Sequence, residues 1–97
     1  MRVIALKALR AFWERHPAAR QPLQAWYHDV RRADWGTPAD IKDAYRNASC
    51  VGNNRVVFNI KGNQYRLVVA IQYRYKIVYI RFVGSHQEYD RIDPATV

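Results

Sequence analysis

Cysteine is nearly absent from this sequence. Cys50 is the sole one, so no intramolecular disulfide and no multi-cysteine zinc site can form. A half-buried structural thiol in a reducing cytosol is the expectation for it. No apolar run approaches the length of a membrane span. The first stretch, MRVIALKALRAFWERH, is basic, but charges interrupt it too often for a signal-peptide core. Repeats, low-complexity tracts and the P-loop, GxSxG and HExxH motifs are missing too. The three histidines, His16, His28 and His86, are too scattered for metal spacing. These absences exclude a disulfide-stapled toxin, a membrane protein and a dinucleotide-fold enzyme. They point to a cytoplasmic protein with no cofactor and no metal.

Acidic residues are also scarce. Eight Asp and Glu face sixteen Lys and Arg, for a net charge of +8, and arginine supplies twelve of the cations. Residues 1–48 and 49–97 each carry +4, so the folded surface holds the excess and not a tail. A polyanionic partner is the physical expectation. Hydrophobic residues make up 49% of the 97, which suits one globular domain, residues 1–97, with no room for a second core.

The first half reads as helical. Ala5, Leu6, Leu9, Phe12 and Trp13 recur at helical spacing, predicting a helix over 5–16 that Pro17 ends. Residues 3–6 are open between a short strand and the start of that helix. Leu23, Trp26, Tyr27 and Val30 predict a second helix from Ala18 or Pro22 to Ala33. Thr37, Pro38 and Asp40 make a helix start, and a short helix runs to about Arg46. Residues 47–54 read as a loop, or as a weak strand through 49–51.

The second half reads as strands: RVVFNI (55–60), QYRLVVAIQY (64–73) and KIVYIRFV (76–83). Lys61-Gly62-Asn63 makes the first turn and Arg74-Tyr75 the second. Ser85 with Glu88 three residues on predicts a terminal turn or short helix. The expected fold class is α+β, with N-terminal helices on one face of a small antiparallel sheet.

Alternation puts Tyr65, Leu67, Val69, Ile71 and Tyr73 on one face of the long strand. Arg66, Val68, Ala70 and Gln72 take the other. In the last strand Val78, Ile80 and Phe82 share one face, and Ile77, Tyr79, Arg81 and Val83 the other. Arg66 and Arg81 interrupt otherwise apolar stretches. Each needs a carboxylate such as Asp90 or Glu88, or an anionic ligand. Together on one open face they form a phosphate clamp. His86 is placed to move a proton near neutral pH, or to serve as a capping residue. His16 and His28 read as helix decoration. The tyrosines of the second half are either strand packing or a stacking surface for bases.

Several blocks carry a resemblance. FNIKGN (58–63) with YRL (65–67), and IRFVGSH (80–86) with EYD (88–90), resemble HigB-type toxins. These belong to the RelE-like mRNA interferases of bacterial toxin–antitoxin pairs. The resemblance implies a RelE-like fold and a small ribonuclease that enters the ribosome and cuts translated mRNA. It also implies a HigA-type antitoxin with a helix-turn-helix domain, and contact with operator DNA only through the antitoxin complex. In such enzymes basic residues on the sheet hold the scissile phosphate. The implied catalytic set is Lys61, Arg66, Arg81, His86 and Tyr89, with Asp90 orienting His86 or pairing with an arginine. Asn63, Arg74, Lys76 and Tyr79 are the expected RNA-binding residues.

Two other readings fit the charge. One is a non-catalytic basic RNA-binding module. The other is an interaction protein whose basic face meets an acidic partner. DNA binding by the chain alone is disfavoured, because no helix-turn-helix is evident.

Overall fold

The computed structural model describes all residues, Met1–Val97. The open choice at residues 3–6 resolves as a strand, β1 (Arg2–Ile4), followed by helix α1 (Leu6–Arg15). Leu9, Phe12 and Trp13 are the buried stripe of α1. Pro17 ends it as expected, but opens a 3-10 turn (Pro17–Ala19) that leads into α2 (Arg20–Arg32). Leu23, Trp26 and Val30 are the buried face of α2. The Met1 ammonium donates to the carbonyls of Val30, Arg31 and Ala33. It thereby places a cation at the negative end of that helix.

Helix α3 (Pro38–Ala44) begins with the expected cap. The Thr37 hydroxyl accepts from the Asp40 N–H, while the Asp40 carboxylate accepts from the N–H groups of Gly36 and Thr37. The helix stops two residues before the expected Arg46. Lys42 Nζ folds forward onto the carbonyls of Arg46 and Ala48 instead, and so stabilises a turn there.

Four further strands follow: β2 (Ser49–Val51), β3 (Arg55–Ile60), β4 (Tyr65–Gln72) and β5 (Ile77–Ser85), then helix α4 (His86–Tyr89). The sheet order is β1-β5-β4-β3-β2. The sheet is mixed, which corrects the antiparallel expectation. β1 runs parallel to β5, with Val3 opposite Val78. Three residues at a chain end carry no local sign of their distant partner. The other pairs are antiparallel.

Eighteen buried residues form one cluster between α1, α2, α3 and the sheet. Phe58 sits among aromatics, edge-on to Trp26 and Tyr45 and stacked near Trp35. Leu9 and Leu23 are fully buried from the helical side.

The opposite sheet face is not bare. Val57 and Val68 are buried there yet lie outside the main cluster. The last residues pass across this face. Asn53 donates to the Ala95 carbonyl, and Arg55 and Arg81 both donate to the Val97 carbonyl.

The strand faces also need correction. The β4–β5 register shifts between Val68 and Val69, which pair with Phe82 and Ile80. Arg81 is therefore the extra residue of a β-bulge, with no partner opposite. A bulge reverses the alternation beyond it. Val78 and Ile80 face the helices, as does Val83, while Phe82 turns to the face of Arg66. Cys50 is exposed rather than half-buried, because β2 is an edge strand.

Candidate active site

One end of the sheet gathers chemistry. The β3–β4 hairpin turns through Lys61 and Gly62, both at positive φ (54° and 63°). Two successive positive φ values match the right-handed twist of the flanking strands. Gly62 adopts one without cost. Lys61 bears about 1–2 kcal/mol for the same conformation, strain of the kind that clusters at functional sites. Across from this turn, β5 ends and α4 starts. The His86 N–H donates to the Gln64 carbonyl at 3.1 Å, which ties helix to turn.

Helix α4 holds because its N-terminus is doubly capped. The Ser85 hydroxyl accepts from the Glu88 N–H, and the Glu88 carboxylate accepts from the Ser85 N–H at 2.9 Å. The Ser85 N–H, and after it the Ser85 side chain, hold the Glu88 carboxyl below its usual range. His86 Nδ1 lies 3.1 Å from Asp90 Oδ2, one helical turn on. That contact orients the ring and leaves Nε2 as the free nitrogen.

Arg66 is half-buried and lies opposite Gly84 on β5. Its guanidinium donates to the carbonyls of Asn63 and Tyr65 and sits 5.9 Å from the centre of the Tyr89 ring. No carboxylate pairs with it. Glu88 is taken by Ser85, and Asp90 by His86. A cation held only by carbonyls and a π face keeps its full charge for an anion. Asn63 and His86 line one cleft of about 320 Å³ with Gln64, Ser85 and Gln87. Asn63, Arg66, His86 and Tyr89 thus share one locality, and their arrangement can bind a phosphate beside an imidazole.

The remaining expected residues lie elsewhere or face another way. Lys61 is at the same end, but it lines a cleft with Arg20 and Pro22 on the helical side of the hairpin. Arg81 is three residues from Gly84 along β5, about 10 Å. It is exposed, and shares the Val97 carbonyl with Arg55. The two arginines therefore do not form a single clamp. Tyr79 is half-buried opposite Ala70 toward the far end. Arg74 stacks over Tyr75 in the far turn. Lys76 is held there by Asp34 at 2.9 Å and by the Trp35 carbonyl at 3.1 Å. His16 stacks on Phe12 and meets the edge of Tyr65, so it is more than decoration. No three His, Cys, Asp or Glu side chains come together in a metal-ligating group.

Two residues near the site escaped the sequence reading. Asn59 pairs across the strands with Arg66 and donates to Asn63 Oδ1. An amide interrupting an apolar strand was its available signal. Gly84 is buried and packs under the Phe82 ring, and the bulge before them turns both to the face of Arg66.

A model of the HigB toxin family, described as the RelE-like toxic component of a toxin–antitoxin system, matches residues 19–92. The chain belongs to this family. The α+β architecture, with its short C-terminal helix, agrees with a RelE-like toxin. The mRNA interferase toxin HigB of Escherichia coli (strain K12) is 28% identical over 92 residues, covering 93% of this chain and 88% of that protein. The mRNA interferase HigB of Shigella flexneri matches to the same extent. The mRNA interferase HigB of Escherichia coli O6:H1 is 22% identical over 94 residues, covering 95% and 91%. No helix is long and apolar enough to cross a membrane.

Proposed function

We propose that this chain is an mRNA interferase, the endoribonuclease toxin of a toxin–antitoxin pair. It cuts translated mRNA on the ribosome, in the cytoplasm, and acts as one domain, residues 1–97. A HigA-type antitoxin with a helix-turn-helix domain neutralises it, and operator DNA is met through that complex. The observation that carries this reading is Arg66, free of any carboxylate and joined through Asn63 to the His86 cleft. The sixteen cations supply affinity for the RNA backbone.

The reaction is metal-independent attack of a ribose 2′-oxygen on the adjacent phosphorus. The 2′-O–P bond forms and the P–5′-O bond breaks, leaving a 2′,3′-cyclic phosphate and a 5′-hydroxyl. Arg66 stabilises the charge that builds on the phosphorane oxygens. His86, oriented by Asp90, exchanges the proton at the 2′-hydroxyl or the 5′-oxygen. Tyr89 fixes the guanidinium plane and offers its hydroxyl to the substrate. Lys61, once its flexible side chain swings to the cleft, adds charge or serves as the proton-transfer partner of His86, one group removing the 2′-proton and the other protonating the 5′-oxygen. Arg81 holds a phosphate further along the strand. Asn63, Tyr79, Arg74 and Lys76 belong to the wider RNA surface.

The test is induced expression of wild type, Arg66→Ala and His86→Ala in a bacterium, with mRNA 5′-ends mapped in translating cells. Growth arrest with new cuts in wild type, lost in both variants, is the expected result. Cuts that survive both substitutions refute the site. A folded wild type that arrests nothing and cuts nothing refutes the enzyme and favours a non-catalytic RNA-binding module.

A further inference from the structure

We propose that the cleft at the open edge of β3 is a nucleobase pocket, in which Arg46, Asn47 and Asn59 select the base next to the cut. The inference rests on the ribonuclease reading above and deepens it.

The pocket exists because the edge of the sheet is only half covered. Strand β2 pairs with β3 from Arg55 to Val57 and no further. Beyond Val57 the outward edge of Phe58–Ile60 has no partner strand, and the chain before β2 bends away around it. What remains is a cleft of about 300 Å³. That is the small end of ligand-site volumes, suited to a single planar group.

Its lining matches a base in two respects. The apolar walls are Phe58, Tyr45 and Ala48. Tyr45 meets Phe58 and Trp35 edge-on, and its hydroxyl donates to Asp29 at 3.0 Å. The wall is therefore fixed before any ligand arrives. The polar rim is Arg46, Asn47 and Asn59. Asparagine amides carry both donors and an acceptor, as needed to read a base edge. The Arg46 guanidinium and the Asn47 amide have no hydrogen bond or ion pair within the chain; of Arg46, only the carbonyl is used, by Lys42. The Asn59 amide is held by Asn63 at 3.5 Å, the outer limit of such a bond, with its oxygen left free.

Position completes the argument. Asn59 lies directly across from Arg66, on a neighbouring strand about 5 Å away. Asn63 touches both, through its side chain to Asn59 and its carbonyl to Arg66. Gly62 borders the pocket where the hairpin tip would otherwise present a side chain. A base in this cleft belongs to the nucleotide whose phosphate Arg66 holds, or to its immediate neighbour.

The experiment compares wild type, Asn47→Ala and Asn59→Ala by mapping mRNA 5′-ends after induction. Purified wild type is also titrated with the four nucleoside monophosphates by NMR. The expected wild type favours one base at a position beside the cut. In both variants the favoured-to-disfavoured ratio falls at least about tenfold. Asn47 is exposed in a turn, so its variant tests the proposal even if Asn59→Ala folds poorly. In the titration the Asn47 and Asn59 side-chain amide signals shift, most strongly with the favoured base. If wild type cuts and both variants keep its base preference, slower or not, the pocket is refuted and the enzyme stands. If folded wild type makes no cuts, the enzyme reading fails and the titration alone decides. Amide shifts then retain a nucleobase site, and their absence refutes it.

Discussion

Replacing Gly84 by alanine sets two effects of opposite sign against each other. Glycine in a strand interior is worth about 0.5–1 kcal/mol less than alanine, and Gly84 has no positive φ to forbid a side chain. On propensity alone Gly84→Ala should stabilise. Yet a Cβ built there lies 2.6 Å from Phe82 Cζ and 3.2 Å from both Phe82 Cε1 and Glu88 Oε1. The Phe82 ring must leave its place over Gly84, and the nearest carboxylate is the one that caps α4. Overpacking of this kind costs about 1–3 kcal/mol. The net expectation is a loss of about 1 kcal/mol, or roughly 4–8 °C in Tm for a domain this size. Urea unfolding of the two proteins measures it. Phe82→Leu removes the ring atoms involved, so Gly84→Ala should cost less in that background. The reasoning is refuted if Gly84→Ala is as stable as wild type, or if its cost is the same with and without the ring.

Arg66→Ala should lower cleavage about 100- to 1000-fold, the usual loss for one donor aimed at transition-state charge; a change under tenfold in single-turnover cleavage would remove Arg66 from the mechanism. Ser85→Ala should cost about 1 kcal/mol through the lost cap and bring the Glu88 carboxyl only part of the way back toward its ordinary value, because the backbone N–H at position 85 remains, read by NMR titration. Glu88 and Asp40 are both held low, chiefly by backbone N–H groups, of Ser85 for the first and Gly36 for the second. Their contribution to stability is present above the unfolded values of 4.5 and 3.8 and is lost as pH falls through the lowered folded values. Acid unfolding curves of Glu88→Gln should therefore be flatter than those of wild type. Leu9→Ala, at a fully buried position, should cost about 2–5 kcal/mol, which denaturant titration will show.

Much of the site was legible before the fold. Arg66 and His86 stood out because a cation in an apolar strand and an imidazole just after one are local anomalies. The caps Thr37–Asp40 and Ser85–Glu88 were legible for the same reason, since donor and acceptor are three residues apart. The helix faces followed from a period that is itself a property of neighbouring residues. The excess of arginine already made a polyanionic partner the physical expectation.

Distance decided the rest. The seat of β1 beside β5 depends on a partner some 75 residues away. The bulge at Arg81 is a mismatch between two strands, invisible in either alone. It turned Phe82 and Gly84 to the face of Arg66. Lys76 was expected to meet RNA, and Arg81 a carboxylate or an anionic ligand; the folded chain supplies them with Asp34 and the Val97 carbonyl. Asn59 acquired a place near the site only once β3 paired with β4. A sequence states what each segment prefers within a few residues of itself. Which long side chains stay free for a ligand depends on every surface that the remainder of the chain brings within their reach.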